Sequence, residues 1–227
     1  RMRDTPIIVF INKMDLEGRD PFDLLDELEN HLDIKVRPLS WPINRGKSFK
    51  GVYNLHSHEL NLFEANKTKV SSEIVTIKDL SDGRLEEIVG ETDANLLRED
   101  VELIDGVYDT LDPELYLQGK LAPVFFGSAV NNFGVKEMLD TFVDIAPTPL
   151  PRLSNVGEVD PYQEKFSGFI FKIHANLDPN HRDRIAFLRI CSGKFERNKF
   201  FTHSRLGKEV RFNNPYSFLA REKNLIK

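Results

Sequence analysis

Pro6-Ile7-Ile8-Val9-Phe10-Ile11 runs directly into Asn12-Lys13-Met14-Asp15, and the reading of this junction decides the fold. A short apolar run reads as a strand buried on both faces, the kind found in parallel sheets. The polar tetrapeptide behind it then lies at a strand C-terminus, where open α/β sheets bind ligands. An ionised Asp only accepts hydrogen bonds, an Asn amide can donate, and a Lys stem can cover a flat surface while its ammonium stays wet. A solvated polar turn is the plain alternative. A second junction of the same kind follows later, where Ala122-Pro123-Val124-Phe125-Phe126 leads into Gly127-Ser128-Ala129.

Periodicity supplies the elements between and after these junctions. Asp20 and Pro21 read as a helix cap and first helical residue, followed by Phe22, Leu25, Leu28 and Leu32 at near-helical spacing. Val135, Met138, Leu139, Phe142 and Val143 mark a second amphipathic helix, which Pro147, Pro149 and Pro151 forbid from continuing. Strand, helix, strand, helix is the pattern of an α/β parallel sheet. Residues 36–120 are far more chain than an α/β loop needs, about 2–6 residues. Within them, 52–55, 60–64 and 74–77 read as strands, and Leu97, Val101, Ile104 and Tyr108 as a helical stripe. Beyond the prolines the period changes to two. Segments 166–175, 184–190, 199–206 and 209–212 predict short strands of a small β-barrel with Phe166, Phe169 and Phe171 in its core. The barrel is expected to be incomplete, leaving an edge open to pairing with another copy.

Composition narrows the class. Hydrophobic residues make up 40% and charged residues 30% of the chain, enough for real cores. No apolar stretch approaches the ~20 residues of a membrane helix. The single Cys191 excludes an internal disulfide and suits a reducing, cytoplasmic setting. A net charge of −5 argues against free-standing nucleic-acid binding and against DNA as a partner, while leaving room for docking on RNA through a local patch.

The Asn12-Lys13-Met14-Asp15 junction resembles the guanine-reading element of P-loop GTPases, and Gly127-Ser128-Ala129 resembles the turn that presents backbone N–H groups to guanine O6. Guanine carries N1–H and N2–H₂ donors beside O6 and N7 acceptors. The resemblance therefore implies that Asp15 takes the two donors, that Asn12 donates to N7 or O6, that Lys13 covers the base, and that Ser128 and Ala129 complete the site. The phosphate end is not evident. The pattern G-x-x-x-x-G-K-[ST] has no match, because Trp41 stands where Gly46-Lys47-Ser48 would need its first glycine, and no buried strand is expected to run into it. Ile7 likewise breaks an Asp-x-x-Gly reading begun at Asp4. The chain is accordingly expected to be a fragment, with no catalytic residue and no metal ligand of its own and no GTP hydrolysis when isolated.

A guanine-binding domain with a large insert and a following barrel resembles elongation factor G and its relatives. Within that group, four stretches resemble the bacterial peptide chain release factor 3 family: residues 1–6, residues 40–43 with 49–53, residues 125–129 with 132–135, and above all residues 169–184. The resemblance implies an α/β fold: the C-terminal half of a P-loop GTPase domain (1–35 and 121–150), an inserted α+β subdomain (36–120), a Pro-containing linker (151–164) and a truncated antiparallel β-barrel (165–227). It implies GTP or GDP as ligand, with Mg²⁺ bound only by the full-length parent. It also implies water attack on the γ-phosphate in that parent, and partnership with the ribosome, its RNA and proteins, and the class-I release factors recycled in termination. An elongation-factor-G-like translocase and a non-catalytic interaction module with a vestigial guanine motif are the alternatives. The loop 176–184 carries His181, Arg182 and Arg184, which are expected to face the small ribosomal subunit through RNA phosphates; bracing of the loop by Asp178 and Asp183 is the alternative. His181-Arg182-Asp183 fails as a kinase loop because Leu188 stands where an Asn is required. His56-Ser57-His58 reads as a hairpin turn rather than a metal site, and the acidic run from Glu86 to Glu102 as a solvated helix face.

Overall fold

The computed structural model describes residues 5–63, 74–155, 157–175, 184–212, 214–219 and 222–225. It divides into two compact units, residues 1–146 and 147–227.

The first unit begins with strand β1 (Val9–Ile11) and helix α1 (Pro21–Leu32). Asp20 caps α1 by accepting from the Phe22 N–H, and Pro21 occupies the first turn, where its missing N–H costs nothing. A left-handed Asp33 ends the helix. Strand β2 (Lys35–Pro38) follows, and strand β7 (Leu121–Phe126) lies between β1 and β2 in a three-stranded parallel sheet. All six residues of β7 are buried, as a central parallel strand requires. Because β2 spans residues 35–38, a boundary drawn at residue 36 falls inside a strand of this sheet.

Strands β3 (Ser40–Ile43), β4 (Gly51–Asn54), β5 (Glu59–Leu62) and β6 (Ile74–Thr76) form an antiparallel meander. Three of these lie where the sequence pattern puts them; β3 is an addition. Its path alters one expectation. A fully buried strand does run toward Gly46, but Trp41 sits within it, so the place of a first phosphate-loop glycine is filled by a core indole. The turn between β4 and β5 is the expected hairpin turn, with Asn54 Oδ1 accepting from the His56 and Ser57 N–H groups at 2.8 and 2.9 Å. The described residues contain no group of three or more metal-ligating side chains. Helices α2 (Arg84–Val89), α3 (Glu91–Val107) and α4 (Pro113–Leu117) lead back to β7, and α5 (Val135–Ile145) follows it.

The two sheets share one core. Leu39 N–H donates to Val124 O at 2.9 Å, and the buried Ser40 Oγ accepts from Phe126 N–H at 2.9 Å, so the chain passes from β2 into β3 without leaving β7. Trp41 packs between Phe22 of α1 and Phe126 of β7, with ring centroids 4.5 and 5.3 Å away. Phe49, Phe63 and Phe133 form a second aromatic triangle. Leu85, Val89, Ala94, Leu97 and Ile104 turn the apolar side of α2 and α3 inward. The acidic run on these helices is more than a solvated face. Asp100 accepts from the Trp41 indole at 2.7 Å, and Asp93 pairs with Lys50 at 2.5 Å. On α5, Leu139, Phe142 and Val143 share a face as the spacing predicts, yet they stay exposed, and Thr141 is the buried residue.

The described residues of the second unit form four two-stranded antiparallel ladders: β8 (Arg152–Ser154) with β9 (Gly157–Val159), β10 (Ser167–Ala175) with β11 (Arg184–Ser192), β12 (Phe200–His203) with β13 (Lys208–Arg211), and β14 (Tyr216–Leu219) with β15 (Glu222–Leu225). The first and last pairs were not expected from the sequence, and the first lies within residues 151–164, read there as a linker. Among the described residues no ladder joins one hairpin to the next, so the pairing between hairpins that even the expected incomplete β-barrel needs is not observed. Phe166 packs with Phe195 and Phe201, and Phe212 joins them. Phe169 and Phe171, expected in the core, are exposed. A register shift between Ile170 and Lys172 interrupts the alternation of β10, as a bulge does. Arg184 opens β11 opposite Ala175; His181 and Arg182 lie outside the described residues. No described helix is long and apolar enough to cross a membrane.

Burial pushes the Asp100 carboxyl above the ordinary range, and the Trp41 indole bond pulls it partly back. Such a raised group stabilises the fold at low pH, and that contribution is lost as pH rises through its folded value. Trp41→Phe retains an aromatic ring but strands the carboxylate, so the variant should lose about 1–3 kcal/mol. Urea unfolding should show a larger deficit near neutral pH, with Asp100 ionised, than at acid pH.

Candidate functional site

The parallel pairing of β1 with β7 sets Ile11 beside Phe126, so both polar junctions leave the sheet at the same level. The ladder then continues past the strands. Gly127 N–H donates to Ile11 O and Met14 N–H to Gly127 O, both at 3.0 Å. The two loops are therefore stitched by backbone bonds before any side chain acts.

Asn12 adds a third stitch. Its Oδ1 accepts from Lys13 N–H and from Ala129 N–H, each at 2.8 Å. With the oxygen so engaged, the hydrogen-bonding group left on the amide is the Nδ2 donor. Lys13 is exposed and has φ 69°, uncommon for a residue with a side chain. Bonds on both sides impose it: its N–H meets Asn12 Oδ1, and its carbonyl accepts from Leu16 N–H at 2.9 Å.

Asp15 is held differently. Asn131 Nδ2 donates to its Oδ2 at 3.3 Å and to Ser128 Oγ at 2.8 Å. Asp15 Oδ1 is buried and has no hydrogen-bond partner. A buried carboxylate oxygen without a donor is costly, because the group has given up water for nothing. Ser128 is fully buried and pairs with Phe133 in both directions, donating from its N–H and accepting at its carbonyl at 3.0 Å. The short turn Ala129–Asn131 follows it.

Asn12, Lys13, Asp15, Ser128 and Ala129 are thus brought to one place from positions more than a hundred residues apart. The Ser-Ala turn differs from the expectation in one respect: its two N–H groups are already engaged, Ser128 with Phe133 O and Ala129 with Asn12 Oδ1. Asn131 was not singled out from the sequence. Its only signal there is a position three residues after Ser128, inside a turn. Gly134 closes the turn with φ 77°, and a Cβ on it would come within 2.6 Å of Phe126 O. Only glycine permits that approach of the two backbones.

If Asn12 is the stitch between the loops, Asn12→Ala should release two backbone donors. Amide exchange at Lys13 and Ala129 should accelerate by about tenfold, equivalent to ~1.4 kcal/mol of local opening. Exchange within β7 should not change. Equal acceleration in β7 would show that the whole sheet had been weakened.

Two family models match the chain. Residues 1–148 match the model described as elongation factor Tu GTP binding domain, and residues 165–227 match elongation factor G domain 2.

Proposed function

The chain belongs to the family of the elongation factor Tu GTP-binding domain, and from that premise we propose that Asn12, Lys13 and Asp15, with Ser128 and Ala129, read guanine in a ribosome-associated GTPase that recycles class-I release factors. Guanine-nucleotide binding by a translation factor is the part carried by the family itself. The residue roles, the ribosomal step and a cytoplasmic site of action are the proposal.

The observation that carries the base-reading role is the unpartnered, buried Asp15 Oδ1. Guanine offers two adjacent donors, N1–H and N2–H₂, and an ionised carboxylate can take both. One donor would satisfy the orphaned oxygen. The other would reach Oδ2, whose present bond to Asn131 is long at 3.3 Å. Adenine lacks that donor pair and leaves the carboxylate unsatisfied. The Asn12 amide has its donor free to meet N7 or O6, and the Lys13 stem can lie along the ring. Ala129 N–H can reach O6 only by sharing or exchanging its bond to Asn12, which makes its contribution secondary. GTP brings the scissile phosphate. Magnesium and the groups that hold the phosphates are assigned to the full-length parent, and no residue of this chain is proposed to bind them.

The release-factor reading draws support from the sequence resemblance in residues 1–6, 40–43 with 49–53, 125–129 with 132–135, and 169–184. A translocase of the elongation factor G type is the second reading, favoured by the family model matched at residues 165–227. Full-length protein with GTP should displace a class-I release factor from ribosomes whose peptide has been hydrolysed. Movement of tRNA and messenger without such displacement would establish the translocase instead.

Asp15→Asn in the full-length protein should cost about 1.5–3 kcal/mol of GDP affinity, the worth of a hydrogen bond to a charged group. It should also shift preference toward xanthine nucleotides, whose C2 oxygen meets an amide donor. Calorimetric titration with GDP, XDP and ADP reads both effects, and an unchanged GDP affinity would refute the role of Asp15.

A further inference from the structure

The connection between β3 and β4 meets the candidate base-reading loop at Gly46. Its N–H donates to Met14 O at 2.9 Å. Met14 is buried and lies between Lys13 and Asp15, and its own N–H is held by Gly127 O. Both polar groups of the Met14 backbone are therefore fixed, one by the Ser-Ala turn and one by Gly46. The position is demanding. Gly46 is buried with φ 63°, and a Cβ there would lie 2.2 Å from Glu17 Oε1. The turn has a second anchor next door, where Arg45 Nη1 donates to Asp20 Oδ2 at 3.0 Å while Asp20 Oδ1 caps α1. Phe49 N–H closes the turn onto Gly46 O at 3.1 Å.

We propose that Gly46 is a positioning residue for guanine recognition: through Met14 it sets the orientation of the Asp15 carboxylate, so the β3–β4 connection takes part in base specificity without touching the base. The inference rests on the base-reading role proposed above for Asp15. The physical argument is one of rigidity. A carboxylate that must meet two donors at once needs its backbone fixed in angle as well as in place. The Met14 carbonyl is one peptide from the Asp15 Cα, and Gly46 is its hydrogen-bond donor. A side chain at position 46 displaces only the flexible carboxylate end of the exposed Glu17, so the main cost of a substitution is the positive φ. The backbone strain at φ 63° shifts the turn and the N–H that it presents to Met14 O, and with it the loop that carries Asp15.

The experiment uses the full-length protein and two nucleotides, GDP and IDP. IDP lacks the N2 amine, so the ratio of the two affinities reports how well Asp15 meets both donors. The ratio is independent of the fraction of protein folded. Gly46→Ala should lower the GDP preference over IDP by about tenfold, the scale of one well-made charged hydrogen bond. If that variant fails to fold, Gly46→Asn takes its place, because Asn tolerates a positive φ better than Ala, and it should show a smaller loss of preference in the same direction. An unchanged ratio in a folded Gly46 variant overturns the positioning role, even where its thermal stability falls. A wild-type protein that binds GDP and IDP equally refutes the role of Asp15 itself, and the positioning role with it. Those two failures are thus told apart by whether the wild type discriminates.

Discussion

Two backbone hydrogen bonds placed just past the end of a parallel ladder organise this molecule: Gly127 N–H to Ile11 O and Met14 N–H to Gly127 O. Each is worth only about 0.5–1.5 kcal/mol net. Their importance is geometric. They extend the β1–β7 register by one step, so two loops distant in sequence leave the sheet side by side. Asn12 then bridges them, and Asn131 ties Ser128 to Asp15. A slip of one residue between β1 and β7 would reverse which side chains face the core and separate the two loops at once.

Burial makes that register firm. Val124, Phe125 and Phe126 are completely buried, and the Phe126 ring packs against Trp41. Trp41 belongs to the antiparallel meander, so that sheet and the parallel sheet stabilise one another through a shared aromatic contact. Ser40 reinforces the junction by accepting the Phe126 N–H, which would otherwise lie unpaired in the core. The site thus stands on a rigid base. Its exposed components, Asn12 and Lys13, need no packing of their own to stay in place.

Within the site, order and cost sit side by side. Asn12 is satisfied at its oxygen, whereas Asp15 keeps one buried oxygen without a donor. Fold stability alone would favour pairing that oxygen or replacing it with an apolar atom. The unsatisfied oxygen accords with the base-reading role proposed for Asp15. The left-handed backbone at Lys13 has the same character, a local strain held in place by its neighbours.

The sequence by itself determined the local features. The apolar runs specified β1 and β7, Asp20 and Pro21 specified the start of α1, and the helical stripe from Leu97 to Tyr108 specified α3. The chemistry of Asn12, Lys13 and Asp15 was legible too, because donor and acceptor capacity belongs to the residue type. Tertiary structure alone decided the rest. No periodicity shows that the Ala129 N–H would be taken by Asn12, that Asn131 would serve Asp15, or that Gly46 would hold Met14, since each is a contact between segments whose separation the pattern does not encode. The same limit explains the second unit. Alternation predicted the strands of its two middle ladders, but whether hairpins join into a barrel, and so which of their faces is covered, depends on pairing between strands, which alternation within one strand does not specify.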